Sequence, residues 1–159
     1  MGELHMRAQL NEESVIKANS QFWEQMLAMK MDTLPVAEEF CVDAGHILAC
    51  VDLSGQWKGR IEVRMAGKLA YEATAAMLMQ PMEEIGDADA LDATKEIANM
   101  IAGVIKSSLP RPCAMAVPKS AVELKCFCGL PQTEDTLMVA FRHAAGDLMV
   151  RVWEQECHQ

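Results

Sequence analysis

The sequence contains few basic residues for its size. Its 159 residues include 14 Lys and Arg against 23 Asp and Glu, so the formal net charge is -9 at pH 7. Nucleic acids and anionic membranes are bound through dense patches of Lys and Arg, and this charge therefore argues against both partners. A cationic or mixed protein partner is the better expectation.

Long apolar runs and flexible linkers are also missing from the sequence. No stretch approaches the roughly 18 apolar residues of a membrane-spanning helix, and the opening residues, MGELHMRAQLNEES, lack the apolar centre of a signal peptide. We therefore expect a cytoplasmic location. No Pro-, Gly- or Ser-rich segment divides the chain, which predicts a single domain over residues 1–159.

Cysteine spacing indicates neither a disulfide framework nor a metal site. Most of the six cysteines lie inside apolar patterns, where a reduced thiol acts as a small hydrophobic side chain. Cys126 and Cys128 form a CxC pair that Cys157 and His158 could extend to four ligands. Zinc sites usually have CxxC-type spacing, so thiols in strands, without a metal, are the favoured interpretation.

Hydrophobic periodicity predicts the order helix, strands, helix, helix, strands. A first helix, capped by Asn11, should run from Glu12 to about Met29. Further helices are predicted over 67–79 and from about Ala90 to Ser108, and strands over 37–42, 46–53, 60–66, 113–117, 120–127, 136–143 and 147–154. The predicted class is α+β, with a mixed or antiparallel sheet packed against about three helices. The order can be cut into two similar halves, which is compatible with an internal duplication.

The third predicted helix has an outward line of unusual composition. At about 100° per residue, one side of this helix is apolar, with Ile97, Ile101, Val104 and Ile105. The other side has a stripe roughly 60° wide, formed by Asp92, Glu96, Asn99 and Gly103. Most polar lines of this kind are only solvated. Asn and Gly are weak helix formers, however, and small residues at 98, 102 and 103 would let another surface come close, so the pattern favours a docking helix.

This helix resembles the signature of the CheX/CheC family of chemotaxis phosphatases. An acid stands four residues before an E-x-x-N motif, which apolar and small residues follow: Asp92, Glu96, Asn99 and MIAG. The segment SVIKANSQFWEQML is similar to the CheX amino-terminal helix, and GQWKGRIEVRMAGKLAYEATAAMLM is similar to its hairpin and second helix. The resemblance extends from about Leu10 to about Glu154 and implies a CheC-like, pseudo-duplicated architecture.

The resemblance also implies a function. It is the hydrolysis, without a covalent enzyme intermediate, of the aspartyl phosphate on a CheY-type response regulator. In the family, the Glu, here Glu96, pairs with the active-site lysine of the receiver domain, and the Asn, here Asn99, orients the attacking water. The receiver supplies Mg²⁺, and this chain is expected to bind no cofactor. Asp92 either helps to hold the receiver or only favours the positive end of its helix, and Gly103 provides clearance.

One site per chain is expected. The first helix has Ile16 and Asn19 at the spacing of Glu96 and Asn99, so its acid is missing, and Asn19 is interpreted as a relic or a surface residue. Single-site, CheX-like relatives form homodimers by joining sheet edges, which implies a homodimer here. The alternative to an enzyme is a non-catalytic signalling adaptor that binds receiver domains through the same helix.

Overall fold

The computed structural model describes residues 10–34, 40–128 and 136–155. These residues contain three α-helices, a seven-stranded sheet and a two-stranded sheet. The helices are α1 (Glu12–Leu27), α2 (Gly67–Leu78) and α3 (Asp87–Lys106), and a 3₁₀ turn spans Met82–Glu84. The strands are β1 (Asp32–Leu34), β2 (Cys41–Val42), β3 (Ile47–Gly55), β4 (Gly59–Met65), β5 (Cys113–Met115), β6 (Lys119–Val122), β7 (Phe127–Cys128), β8 (Thr136–His143) and β9 (Gly146–Glu154). These elements confirm the α+β class and the predicted order.

The large sheet is antiparallel throughout, and the same arrangement of strands occurs twice in it. Its order is β1-β8-β9-β4-β3, and β5 and β6 both pair with the remaining side of β3. The β3–β4 hairpin thus lies beside the β8–β9 hairpin, and each half lends a strand to the other, β1 to β8 and β6 to β3. The two short strands β2 and β7 pair with each other. The series α1, β1 to β4 and the series α3, β6 to β9 therefore match, which confirms the duplicated architecture.

All three helices pack on one face of the large sheet. Alternate residues of β3 point to this face and are buried: Ile47, Ala49, Val51 and Leu53. Helix α3 contacts the same strand, and it buries Ile97, Ile101 and Ile105 at helical spacing. Burial of each isoleucine stabilises the fold by about 1.5 to 3 kcal/mol, so this inner face holds α3 on the sheet.

Helix α1 begins at the predicted cap. The side-chain oxygen of Asn11 accepts a hydrogen bond from the Ser14 N–H at 2.8 Å, and the Ser14 hydroxyl oxygen accepts one from the Asn11 N–H at 3.0 Å. This reciprocal pair satisfies amide groups that have no partner within the first turn. The helix ends at Leu27, earlier than predicted, because Ala28 adopts a left-handed conformation with φ of 52°.

The two-stranded sheet covers part of the opposite face of the large sheet. A second apolar cluster forms there from Phe40, Val42, Met138, Ala140 and Met149. A disulfide joins Cys41 of β2 to Cys128 of β7, so the interpretation of these two cysteines as reduced thiols is wrong. The two cysteines are 87 residues apart, and only the register of two distant strands brings them together. Cys126 is a free, exposed thiol.

Several strand predictions differ from the structure: β1 lies where no strand is predicted, and β5 ends two residues before the predicted end at residue 117. The strand predicted over 120–127 is divided into β6, which pairs with β3, and β7, which pairs with β2, because the residues between them lead from one sheet to the other. Of the strand predicted over 37–42, residues 37–39 lie outside the described residues, as do Cys157 and His158. Within the described ranges, no group of His, Cys, Asp and Glu is placed to hold a metal ion. None of the helices described has the length and apolar character of a membrane span.

Candidate active site on helix α3

Helix α3 presents its outer ridge to solvent. The sheet lies beneath this helix, and α1 and α2 contact it from the side. Asp92, Glu96 and Gly103 are exposed, and Asn99 is half-buried. The four residues singled out in the sequence therefore share one accessible face, which a second protein can reach.

Glu96 and Asn99 are neighbours on this ridge. Residues three apart on a helix have Cβ atoms about 5 to 6 Å from each other on the same face. Within the described part of the chain, neither side chain forms a hydrogen bond or an ion pair. A carboxylate and an amide are thus free to bind a visiting molecule. The amide supplies one donor group and one acceptor, and the carboxylate supplies a negatively charged acceptor.

Asp92 is engaged in an ion pair on the same surface. Its carboxylate lies 3.1 Å from the Lys95 ammonium group, and both side chains are partly or largely exposed. The helix begins at Asp87, earlier than predicted, and Asp89 caps it by accepting a hydrogen bond from the Gly86 N–H at 3.0 Å. The helix dipole acts mainly within the first turn. Asp92 lies beyond that turn, so stabilisation of the helix start does not explain it.

The fold of this chain does not require a glycine at position 103. A Cβ atom added there would meet no other atom within 4 Å, and the residue lies inside the helix. Glycine at an interior helix position costs about 0.8 to 1 kcal/mol relative to alanine. The open space beside it continues into a cavity of about 500 Å³, which Lys106, Ser107, Arg111, Pro112 and Cys113 also line.

Three neighbouring residues do not lie where the pattern predicts. Ala98 and Ala102 are fully buried, so they pack in the core and do not clear space for a partner. Val104, predicted in the apolar face, is 46% exposed. It lies roughly 60° around the helix from Ile101, at the margin of that face. There, it borders a small open groove at the start of α1.

The second half of the equivalent line on α1 points inward. Asn19 has no exposed surface, and its side-chain NH₂ group donates a hydrogen bond to the Val15 carbonyl oxygen at 3.0 Å. Its interpretation as a surface residue is therefore wrong. Trp23, one turn further along, is also fully buried. Helix α1 thus has no accessible asparagine at the position equivalent to Asn99.

Comparison with protein-family models identifies the family of this chain. The family model described as "Chemotaxis phosphatase CheX" matches residues 47–141, more than half of the chain and including all of α3. The chain belongs to the CheX family. Comparison with curated protein sequences gave no match.

Solved structures of CheX-like proteins have the same fold. A CheX chemotaxis protein from Desulfovibrio desulfuricans superposes with a TM-score of 0.69 at 20% identity, over 90% of this chain and 97% of that one. A CheC-like superfamily protein from Shewanella sp. PV-4 gives 0.70 at 18% identity, over 91% and 96%. The CheX of a CheX–CheY–BeF₃–Mg²⁺ complex from Borrelia burgdorferi gives 0.65 at 18% identity, over 91% and 97%.

Proposed function

We propose that this CheX-family chain hydrolyses the aspartyl phosphate of a CheY-type response regulator, with Glu96 and Asn99 as its active groups. The observation that carries the proposal is the accessible pair itself. A carboxylate and an amide stand side by side on the outer ridge of a helix whose inner face is firmly packed, and neither is used by the described part of this fold. The family match supports the phosphatase activity.

Asn99 orients the attacking water in this proposal. Its amide oxygen accepts a hydrogen bond from the water, and its NH₂ group donates one to a phosphoryl oxygen. The water oxygen bonds to phosphorus while the bond from phosphorus to the aspartyl oxygen breaks. The water proton passes to the phosphate, and the products are inorganic phosphate and the free aspartate. Positioning is sufficient here because phosphoryl transfer has a loose transition state that needs little covalent assistance.

Glu96 binds the active-site lysine of the receiver. The ion pair loses solvent only once the two proteins have docked, so its attraction is strongest in the complex that reacts. Asp92, which is exposed and already beside Lys95, contacts the receiver at the rim. Gly103 lets the receiver backbone come close to the helix, which accounts for a glycine that this chain does not itself need.

The partner and its metal follow from the same proposal. The CheX structure from Borrelia burgdorferi is a complex with CheY, BeF₃ and Mg²⁺, which supports a CheY-type partner. We place the Mg²⁺ in the receiver and assign no cofactor to this chain. We further propose that the chain acts as one CheX-like domain over residues 1–159, in the cytoplasm, as a homodimer.

The test is phosphate release from a phosphorylated receiver with this protein at substoichiometric concentration. We expect many turnovers for the wild type, and a fall of about 100-fold or more in kcat for Asn99→Ala, because the water loses its alignment. Gln25→Ala, which removes an exposed amide from α1, serves as the matched control and should leave the rate unchanged. Full activity of Asn99→Ala would disprove the mechanism. Binding without turnover by the wild type would instead identify a signalling adaptor.

A further inference from the structure

Two basic side chains line the cavity next to the candidate active site. Lys106 is in the last turn of α3, Arg111 follows the helix, and both line the cavity that opens beside Gly103. Within the described residues, neither side chain forms an ion pair or a hydrogen bond. In contrast, Arg60, Arg142 and Arg151 each lie within 4 Å of a carboxylate.

The cavity is aligned with the Glu96 and Asn99 ridge. Lys106 is seven residues after Asn99, two turns along the same side of the helix, which is about 10 Å at a rise of 1.5 Å per residue. Gly103 lies between them and adds no side chain. A protein seated over Asn99 would therefore extend over Gly103 and reach the cavity without obstruction.

Stabilisation of a helix end, a common role of basic residues, explains Lys106 but not Arg111. A lysine in the last turn stabilises a helix through its dipole, and this accounts for Lys106. It does not account for Arg111, which lies outside the helix. Lys106 also acts on its surroundings: burial raises the pKa of the Cys113 thiol, and the positive charge of Lys106 opposes that rise. Lys106 and Cys113 line the same cavity, and the charge of the lysine acts on the thiol there.

These two basic side chains could bind a negatively charged group on a partner protein. The chain carries a net charge of -9, so at long range it repels the negatively charged phosphoryl group of a receiver. Exposed charges interact over about 8 Å at physiological ionic strength, and a local positive site near the contact can therefore offset the repulsion. A phosphoryl group brings roughly two negative charges to the receiver's active site.

We propose that Lys106 and Arg111 form a cationic docking site for the acidic surface around the phosphorylated aspartate of the receiver. This inference rests on the proposed function, because it takes its partner from there. The two cations hold and orient the receiver, and they touch no reacting atom. They are positioning residues, and they should act on KM and on its salt dependence while Asn99 acts on kcat.

The test is the double variant Lys106→Gln/Arg111→Gln. We expect KM for the phosphorylated receiver to rise about tenfold at low salt, the lower end of electrostatic focusing effects, with kcat unchanged. Raising the salt concentration should weaken wild-type binding and have little effect on the variant. The charge-preserving variant Lys106→Arg/Arg111→Lys should retain most of the wild-type KM. Thermal unfolding establishes that each variant is folded.

The matched control is Lys30→Gln/Lys125→Gln. It removes the same charge from exposed positions away from the cavity, one after the end of α1 and one before β7 on the opposite face of the large sheet. If the control raises KM as much as the double variant, the effect is one of net charge and the inference is wrong. Equal KM and equal salt dependence for wild type and double variant would also overturn it, although the phosphatase proposal would stand.

A binding measurement separates the two proposals. The affinity for a receiver activated with BeF₃ and Mg²⁺ does not depend on turnover. If the wild type shows no hydrolysis but loses affinity for this receiver in Lys106→Gln/Arg111→Gln, the docking site stands and the enzyme proposal fails. If neither turnover nor a charge-dependent affinity is found, both proposals fail.

Discussion

Helices α1 and α3 occupy equivalent places in the two halves of the fold, yet the same four positions differ in exposure between them. The line on α3 is Asp92, Glu96, Asn99 and Gly103, and it faces solvent. The corresponding line on α1 is Glu12, Ile16, Asn19 and Trp23, and its last two residues are fully buried. Both helices keep the asparagine. The surroundings decide whether that amide can meet a partner.

The difference between the helices lies in which side of each is apolar. On α3, isoleucines on the inner side pack against the sheet and leave the amide outside. On α1, Trp23 occupies the position of Gly103, and its large side chain is buried in the core. The two halves therefore share a backbone arrangement without sharing a binding site, because an asparagine that is buried in one half cannot contact a partner.

The strongest test of this comparison is an attempt to rebuild the motif on α1. Ile16→Glu in an Asn99→Ala background restores a Glu-x-x-Asn sequence on the first helix. We expect phosphate release to stay about 100-fold or more below the wild type, because Asn19 remains buried and cannot reach a receiver. Recovery of turnover would show that α1 can open, and it would contradict the proposed basis of the asymmetry.

A smaller effect is expected when the buried asparagine receives a charge. Asn19→Asp places a carboxylate where no surface is exposed, and the free energy of unfolding at pH 7 should fall by about 2 to 4 kcal/mol. Burial favours the neutral acid, so its folded pKa is raised, and the deficit should shrink as the pH falls towards about 4. Urea unfolding at the two pH values measures both quantities.

The matched change on the outer ridge is Asn99→Asp. It introduces the same carboxylate at a half-buried position on α3, so its effect on the free energy of unfolding should be much smaller than that of Asn19→Asp. Equal losses of stability in the two variants would mean that the two asparagines have similar surroundings in solution.

The smallest expected effect concerns Gly103. Gly103→Ala should raise the free energy of unfolding by about 0.8 to 1 kcal/mol, because alanine is the better helix former and the added Cβ meets no neighbouring atom. If the receiver approaches closely here, KM should rise at the same time, and Gly103→Leu should raise it further. Thermal unfolding and steady-state kinetics test the two effects separately. A more stable protein with an unchanged KM would remove Gly103 from the docking surface.

Much of the fold follows from local sequence patterns. The cap at Asn11, the hairpins and the three helices depend on residues close together in the chain, and the structure confirms them within a few positions. Glu96 is exposed and Asn99 is half-buried, and both lie on the outer side of α3, because the isoleucines that bury the other side belong to the same helix. Their chemical roles stay a prediction.

Other features cannot be read from local patterns. The helical spacing on α1 does not reveal that Asn19 is buried, because the residues that cover it come from the packing of that helix against the rest of the fold. The Cys41–Cys128 disulfide depends on two short strands that lie far apart in the chain. The small size of Ala98 and Ala102 suggests clearance for a partner, but it suits a close contact inside the core equally well, and both residues are fully buried.

By itself, the sequence determined the order of helices and strand sets and one outward line with Glu96 and Asn99, because periodicity and motif spacing are properties of neighbouring residues. Only the tertiary structure decided that Asn19 is inaccessible, that Cys41 meets Cys128, and that Lys106 and Arg111 share a cavity beside Gly103. These outcomes depend on which faces and ends of separate elements come together, and packing of the whole chain determines that.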